Sequence, residues 1–113
     1  MDQEHRGLRF AFNADAEILS ENSRDESFSA HVTELSLQGC FVKTSARFEP
    51  QYPVLLRVFH SGDIFEAAAS VLYIKDSGMG LVFREVKPQF REILQKWILT
   101  ALDGQPGALQ TRT

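Results

Sequence analysis

Up to about residue 83 the chain consists of short apolar runs of strand length, and one of them alternates apolar and polar residues, as a strand that buries one face does. The segment Phe28–Leu35 shows this alternation, because Phe28, Ala30 and Val32 occupy alternate positions. Short polar segments, several with glycine or proline, separate the apolar runs. The pattern predicts strands at 10–19, with an interruption near 13–15, and at 28–35, 40–44, 54–60, 64–74 and 79–83. These strands, joined by tight turns, predict a mostly β fold, a six-stranded antiparallel β-barrel.

The pattern changes its period near residue 87, where apolar residues begin to recur at steps of three and one. Pro88 suits the first turn of a helix, and Gly104 is placed to end it. We therefore predict a C-terminal amphipathic α-helix at about 87–103. Its apolar stripe indicates a helix that closes one end of the barrel, and the alternative is a helix that binds a partner. The stripe comprises Phe90, Ile93, Leu94, Trp97, Ile98 and Ala101.

The length of 113 residues fits one domain with a single core. We expect residues 1–9 to form a flexible basic arm, residues 10–103 a single barrel domain with its helix, and residues 104–113 a disordered tail. No apolar stretch approaches the roughly 20 residues that span a bilayer, and the N-terminal segment lacks the apolar run of a secretion signal. A cytoplasmic protein without membrane insertion is therefore expected.

Charge and cysteine content exclude several classes of site. The net charge of −3 argues against a nucleic acid polymer as the partner, because such a partner needs a broad basic face. A small anion stays compatible, since two or three local arginines are enough to bind it. The single cysteine, Cys40, excludes an internal disulfide and a cysteine-based zinc site. Its place in an apolar strand indicates a core residue rather than a reactive thiol.

The sequence does not predict an enzyme. The three histidines, His5, His31 and His60, lie in the arm and in two different strands, without the spacing of metal ligands. Neither a Gly-x-Ser-x-Gly turn nor a phosphate-binding loop occurs. We therefore expect no catalytic residue, no metal and no cofactor.

Two short motifs contain the candidate chemistry. The first is His5-Arg6-Gly7-Leu8-Arg9 in the arm, and the second is Glu34-Leu35-Ser36-Leu37-Gln38-Gly39 between two predicted strands. Together with the six strands and the C-terminal helix, over roughly residues 4–102, these motifs resemble the PilZ family. The signature of that family is Arg-x-x-x-Arg in an arm and Asp/Asn-x-Ser-x-x-Gly between two strands.

The resemblance implies a bacterial receptor domain for the second messenger cyclic di-GMP. The ligand-binding residues that it implies are Arg6, Arg9, His5, Glu34, Ser36 and Gly39. Arginine offers a planar fork of donors that matches phosphate oxygens and the edge of guanine. The turn offers a carboxylate for guanine N–H groups, a hydroxyl, and a glycine that lets the ligand approach the backbone. Binding would order the arm and change a surface that a downstream protein recognises, in motility, biofilm formation or virulence.

The chain departs from the family signature at two positions. With Arg9 as the second arginine, the first arginine position holds His5, and Arg6 falls one residue too late. In an extended arm residues four apart share a face, so His5 and Arg9 would converge while Arg6 points away. Either Gly7 lets the arm turn so that both arginines face the same way, or His5 binds as an imidazolium. Glu34 replaces Asp or Asn and keeps the carboxylate on a longer side chain.

The same residues also have purely structural interpretations. The arginines would be solvated charges, and Glu34 would be a surface residue at the end of a strand. Ser36 would cap its own turn, and Gly39 would be present for a positive φ angle. The sequence thus supports two functions. One is a cyclic di-GMP receptor, with reduced affinity if His5 contributes less than an arginine. The other is a degenerate PilZ module that does not bind the nucleotide and acts as a protein–protein adaptor.

Overall fold

The computed structural model describes residues 9–22, 26–75 and 77–104 of the chain. Of the expected flexible arm at residues 1–9, only Arg9 belongs to the described part. The expected disordered tail at residues 104–113 lies outside the described residues, apart from Gly104.

In the described part of the chain, six strands form a closed antiparallel barrel and one helix follows them. The strands are β1 (Phe10–Ser20), β2 (Ser27–Leu35), β3 (Gly39–Lys43), β4 (Pro53–His60), β5 (Asp63–Lys75) and β6 (Gly78–Glu85), and the helix is α1 (Pro88–Gly104). Around the barrel the strands follow the order β1-β2-β3-β6-β5-β4, and β4 pairs with β1 to close the sheet. The predicted six-stranded barrel with a C-terminal helix is confirmed.

β1 is one continuous strand, so the predicted interruption near residues 13–15 is wrong. Asn13 and Asp15 are exposed while Ala14 between them is buried, which continues the alternation of the strand. The pairing with β2 shifts its register between Ala11 and Ala14, so an irregularity of the β-bulge kind takes the place of the interruption. Asn and Asp are uncommon in strands, which is why the sequence pattern suggested a break.

The inward faces of the strands supply one hydrophobic core. Ile18, Val42 and Phe65, from β1, β3 and β5, are fully buried. Cys40 also belongs to this core, as its apolar strand predicts, and burial raises the pKa of its thiol from an ordinary value of 9.0 to about 12. Because the thiol of the unfolded chain ionises first, this residue lowers the stability of the fold as the pH rises between those two values.

The helix α1 packs against β1 and β5 with its apolar stripe toward the core. Leu94, Trp97 and Ile98 are buried. The Trp97 ring stacks on Phe12 near the start of β1 and meets the ring of His60 edge-on at the end of β4, each at a centroid distance of 5.4 Å. The helix therefore covers the end of the barrel at which β1 begins and β4 ends. This packing agrees with the predicted closing role.

Truncation of Leu94 tests whether α1 is packed onto the barrel. Leu94 is 2% exposed, whereas Leu99 on the outer side of the same helix is 61% exposed. A buried Leu→Ala substitution costs about 2–5 kcal/mol, and a surface substitution stays within about 0.5 kcal/mol. In urea denaturation, Leu94→Ala should lower the free energy of unfolding by the larger amount, and Leu99→Ala should leave it nearly unchanged. Equal effects of the two substitutions would contradict this packing.

Candidate functional site

The turn between β2 and β3 is held by the buried hydroxyl of Ser36. Its Oγ accepts hydrogen bonds from the backbone N–H groups of Gln38 (3.2 Å) and Gly39 (3.1 Å), and it donates one to the carbonyl oxygen of Gly39 (3.2 Å). A hydroxyl has one donor and two acceptor positions, so the contacts within the turn use all of them. Ser36 therefore caps its own turn, and it has no hydrogen-bonding position left for direct contact with a ligand.

Gly39 is required by the close approach of two strands. A Cβ at this position would run into the carbonyl oxygen of Leu81 on β6. Among the described glycines only Gly62, in the β4–β5 hairpin, has a positive φ. The interpretation that Gly39 is present for a positive φ angle is therefore wrong. The absence of a side chain at Gly39 lets β3 lie against β6, and the turn is thereby held next to β6.

Arg9 lies over the outer face of the barrel, immediately before β1. Its Nη1 donates to the Glu34 carboxylate and to the Tyr73 hydroxyl, at 3.4 Å in each case. The side chains of Arg9 and Glu34 are 52% and 49% exposed, and contacts so long and so exposed contribute little energy by themselves. The hydrogen bond to Tyr73 is the largest cause of a raised pKa at Arg9, and Glu34 adds to it. A guanidinium is protonated at any physiological pH, and both contacts favour that charged form.

The residues beneath Arg9 form a row across four strands. In register, Glu34 on β2 faces Phe41 on β3. Phe41 faces Gly80 on β6, and Gly80 faces Tyr73 on β5. The Tyr73 ring lies across Gly80, where a Cβ would collide with it, and it stacks with the Phe41 ring at a centroid distance of 6.2 Å. The sequence did not identify Tyr73 as a site residue. Its only distinguishing feature is that it pairs with Gly80, and this pairing depends on a register shift in β5.

A cavity of about 230 Å³ opens beside this row. Arg9, Ser36 and Gly39 line it, so the structure brings three of the predicted site residues together, and Glu34 contacts Arg9. The rest of the lining consists of Leu35, Gln38, Cys40, Leu72, Tyr73, Gly80, Leu81 and Val82. The other two predicted residues, His5 and Arg6, lie outside the described residues.

A larger cavity of about 350 Å³ lies along β1, β4 and β5. Its Arg57 is already paired, through Nε with Glu66 at 2.9 Å and through Nη1 with Glu17 at 3.4 Å. The lining contains three carboxylates against two cationic side chains. An anion would meet an excess of negative charge there, so the cavity at Arg9 is the better candidate for an anionic ligand despite its smaller volume.

The part of the chain that the structure describes contains neither a metal-binding cluster nor a membrane-spanning helix. In residues 9–22, 26–75 and 77–104 no cluster of three or more histidine, cysteine, aspartate or glutamate side chains is arranged to hold a metal ion. Within the same ranges, α1 is neither long nor apolar enough to cross a membrane.

Solved structures share this fold at low sequence identity. The PilZ domain of CeSA from a cellulose-synthesizing bacterium is 14% identical, with a TM-score of 0.68 over 83% of this chain and 97% of that chain. The PilZ domain of YcgR from Escherichia coli, solved with cyclic di-GMP, is 13% identical, with a TM-score of 0.68 over 83% and 88% of the two chains. The Bacillus subtilis inhibitor of motility MotI/DgrA is 19% identical, with a TM-score of 0.71 over 87% of this chain and 51% of that chain.

Identities this low establish the fold alone, and no relative was found among curated proteins. The family assignment comes instead from the sequence, because the family model described as the PilZ domain matches residues 3–100, which is most of the chain and includes both motifs. PilZ domains are regulatory binding domains rather than enzymes, and the family is one of cyclic di-GMP receptors. The chain therefore belongs to the PilZ domain family.

Proposed function

We propose that this PilZ domain binds cyclic di-GMP on the surface formed by Arg9, the turn at residues 36–39 and Tyr73, which we call the Arg9 face. The observation that carries the proposal is the position of a charged guanidinium at a cavity that the second motif lines. Binding there is a regulatory step without catalysis, and we place it in the cytoplasm.

Cyclic di-GMP has two phosphates and two guanines, and the Arg9 face with the adjacent Glu34 offers a partner for each of these two kinds of group. The forked donors of Arg9 match phosphate oxygens or the O6/N7 edge of guanine. Leu72 and Val82 line the cavity with apolar surface on which the flat face of a base can pack. The Glu34 carboxylate is the acceptor for guanine N–H groups. It can accept these hydrogen bonds while it still accepts the one from Nη1 of Arg9.

The described cavity accommodates only part of such a ligand. Its volume of about 230 Å³ lies below the roughly 300–1,000 Å³ of pockets for drug-sized ligands. We assign the rest of the ligand to the arm, with Arg6 and His5 as candidates for the second cationic contact. A charge-assisted hydrogen bond contributes about 1.5–3 kcal/mol, so the loss of one at position 5 would weaken affinity by about 10- to 100-fold.

Ser36 and Gly39 serve the proposed site through its shape. The hydroxyl of Ser36 closes the turn, and Gly39 keeps the turn next to Leu81. Loss of either feature would move the wall of the cavity relative to Arg9. We therefore retain both residues in the site as determinants of its geometry.

A second candidate function is a protein adaptor, and the exposure of two leucines favours it. Leu37 in the turn is 58% exposed, and Leu72 at the cavity is 57% exposed. Leu72 lines the cavity, Leu37 adjoins Gln38, which also lines it, and exposed apolar patches are typical of protein contact surfaces. A PilZ module that does not bind the nucleotide would offer them, with the arm, to a downstream protein. The similarity to an inhibitor of motility is compatible with this role.

Calorimetric titration of the full chain with cyclic di-GMP distinguishes the two functions. With protein and ligand at tens of micromolar, the receptor should give a saturable heat of binding. Arg9→Ala should abolish it, because the substitution removes the cation at the cavity. Arg91→Ala, the matched control, removes an exposed arginine from α1 and should leave the heat unchanged. Absence of heat from the unmodified chain would contradict the receptor function and favour the adaptor.

The contribution of position 5 has a pH signature. If the arm is extended, His5 contacts the ligand as an imidazolium, so the affinity should be higher at pH 6 than at pH 8. His5→Arg should tighten binding and remove that pH difference. If the arm instead turns at Gly7, Arg6→Ala should weaken binding and the affinity should not depend on pH in this range. Unchanged affinity in His5→Arg would show that position 5 does not contact the ligand.

A further inference from the structure

We propose that Tyr73 is a positioning residue for Arg9. Together with Glu34 it holds one nitrogen of the guanidinium and leaves the opposite edge of the guanidinium to the ligand. The inference rests on the proposed function, because it concerns the same site. Tyr73 belongs to neither of the two sequence motifs, since it lies on β5, far from both along the chain.

The contacts of Arg9 leave one edge of its guanidinium available. Both hydrogen bonds to described residues use Nη1, which has two hydrogens and can direct one to Glu34 and one to Tyr73. Nε and Nη2 have no partner among residues 9–22, 26–75 and 77–104. An edge of this kind offers two parallel N–H groups, the geometry that binds a phosphate or the O6/N7 edge of guanine in bidentate fashion.

Tyr73 is a suitable anchor because its ring is held from several sides. Gly80 lies under the ring, and no side chain there lifts it from the sheet. Phe41 stacks with it at an interplanar angle of 24°, and Lys75 Nζ lies 5.7 Å from its centroid. The shift of register after Val71 places Tyr73 opposite Gly80. A hydroxyl on a ring so confined has a fixed position relative to the sheet.

Glu34 and Tyr73 hold the guanidinium from opposite sides. They lie on β2 and β5, which are separated by β3 and β6. Three strand spacings of about 4.8 Å place the two backbones roughly 14 Å apart. The guanidinium of Arg9 therefore lies over β3 and β6, and two anchors on one nitrogen fix its direction where a single anchor would leave it free to turn. Each contact is long, so we expect a modest effect from removing one of them.

Tyr73→Phe tests the role of the hydroxyl while it keeps the ring. The affinity for cyclic di-GMP should fall by about 3- to 10-fold, the effect of one hydrogen bond. Gly80→Ala should weaken binding similarly, because the added methyl group displaces the ring although the hydroxyl is still present. Tyr52→Phe is the matched control, since the Tyr52 hydroxyl lies 2.9 Å from Ser20 Oγ and does not line the cavity. It should bind as the unmodified chain does.

A second measurement needs no ligand. The side-chain Nε–H resonance of Arg9 in an NMR spectrum of the free protein reports the environment of its guanidinium. Tyr73→Phe should shift or broaden this resonance, and Tyr52→Phe should not. Suppose that Tyr73→Phe changes this resonance although the unmodified chain does not bind cyclic di-GMP. The positioning role would then be supported, and only the proposed function would be contradicted.

Two results would overturn the positioning role. One is an Arg9 resonance that Tyr73→Phe leaves unchanged, because the hydroxyl would then not hold the guanidinium. The other is an equal loss of affinity in Tyr73→Phe and Tyr52→Phe, because a general effect on the fold would then explain both.

Discussion

The close approach of β3 and β6 is the constraint on which the fold and the candidate site depend. Gly39 begins β3 and Gly78 begins β6, and the two residues lie at opposite ends of the same antiparallel pair. A Cβ at either position would run into a carbonyl oxygen of the other strand, Leu81 or Val42. Only glycine lets these backbones pair, and the pairing is necessary because β3 joins β2 to β6 in the closed barrel.

This pairing also sets the register of the outer surface. Because β3 meets β6 at these glycines, Phe41 faces Gly80, and the pairing of β6 with β5 then places Tyr73 in the same row. The row ends at Glu34 on one side and at Tyr73 on the other, and Arg9 contacts both ends. The strand register that Gly39 makes possible therefore also positions the two residues that contact the guanidinium of Arg9.

The fold was largely predictable because its signals are local. Alternation along each strand, turns between strands and the period of α1 depend on neighbouring residues, and the barrel follows from them. The error at Asn13–Asp15 has the same origin, because strand propensity gives little weight to a polar residue whose side chain points to solvent. Burial of Cys40 was predictable from the apolar strand around it.

The candidate site was predictable only in part, because its geometry depends on contacts between distant segments. The motif located Ser36 and Gly39, yet their contacts show a hydroxyl used within its turn and a glycine packed against β6. Tyr73 lies 64 residues from Arg9 in sequence, and its relation to Arg9 depends on the register of three strand pairs. The alternation of apolar and polar residues in a single sequence does not show which residues of neighbouring strands pair with each other.

Binding of cyclic di-GMP at the Arg9 face can be followed residue by residue in solution. Amide chemical shifts of the ¹⁵N-labelled chain, followed through a titration with cyclic di-GMP, test it most directly. The largest shifts should occur at Gln38, Gly39 and Tyr73, while Glu66 and Phe90 at the larger cavity stay unchanged. A spectrum without shifts, or shifts concentrated at Glu66 and Phe90, would contradict it.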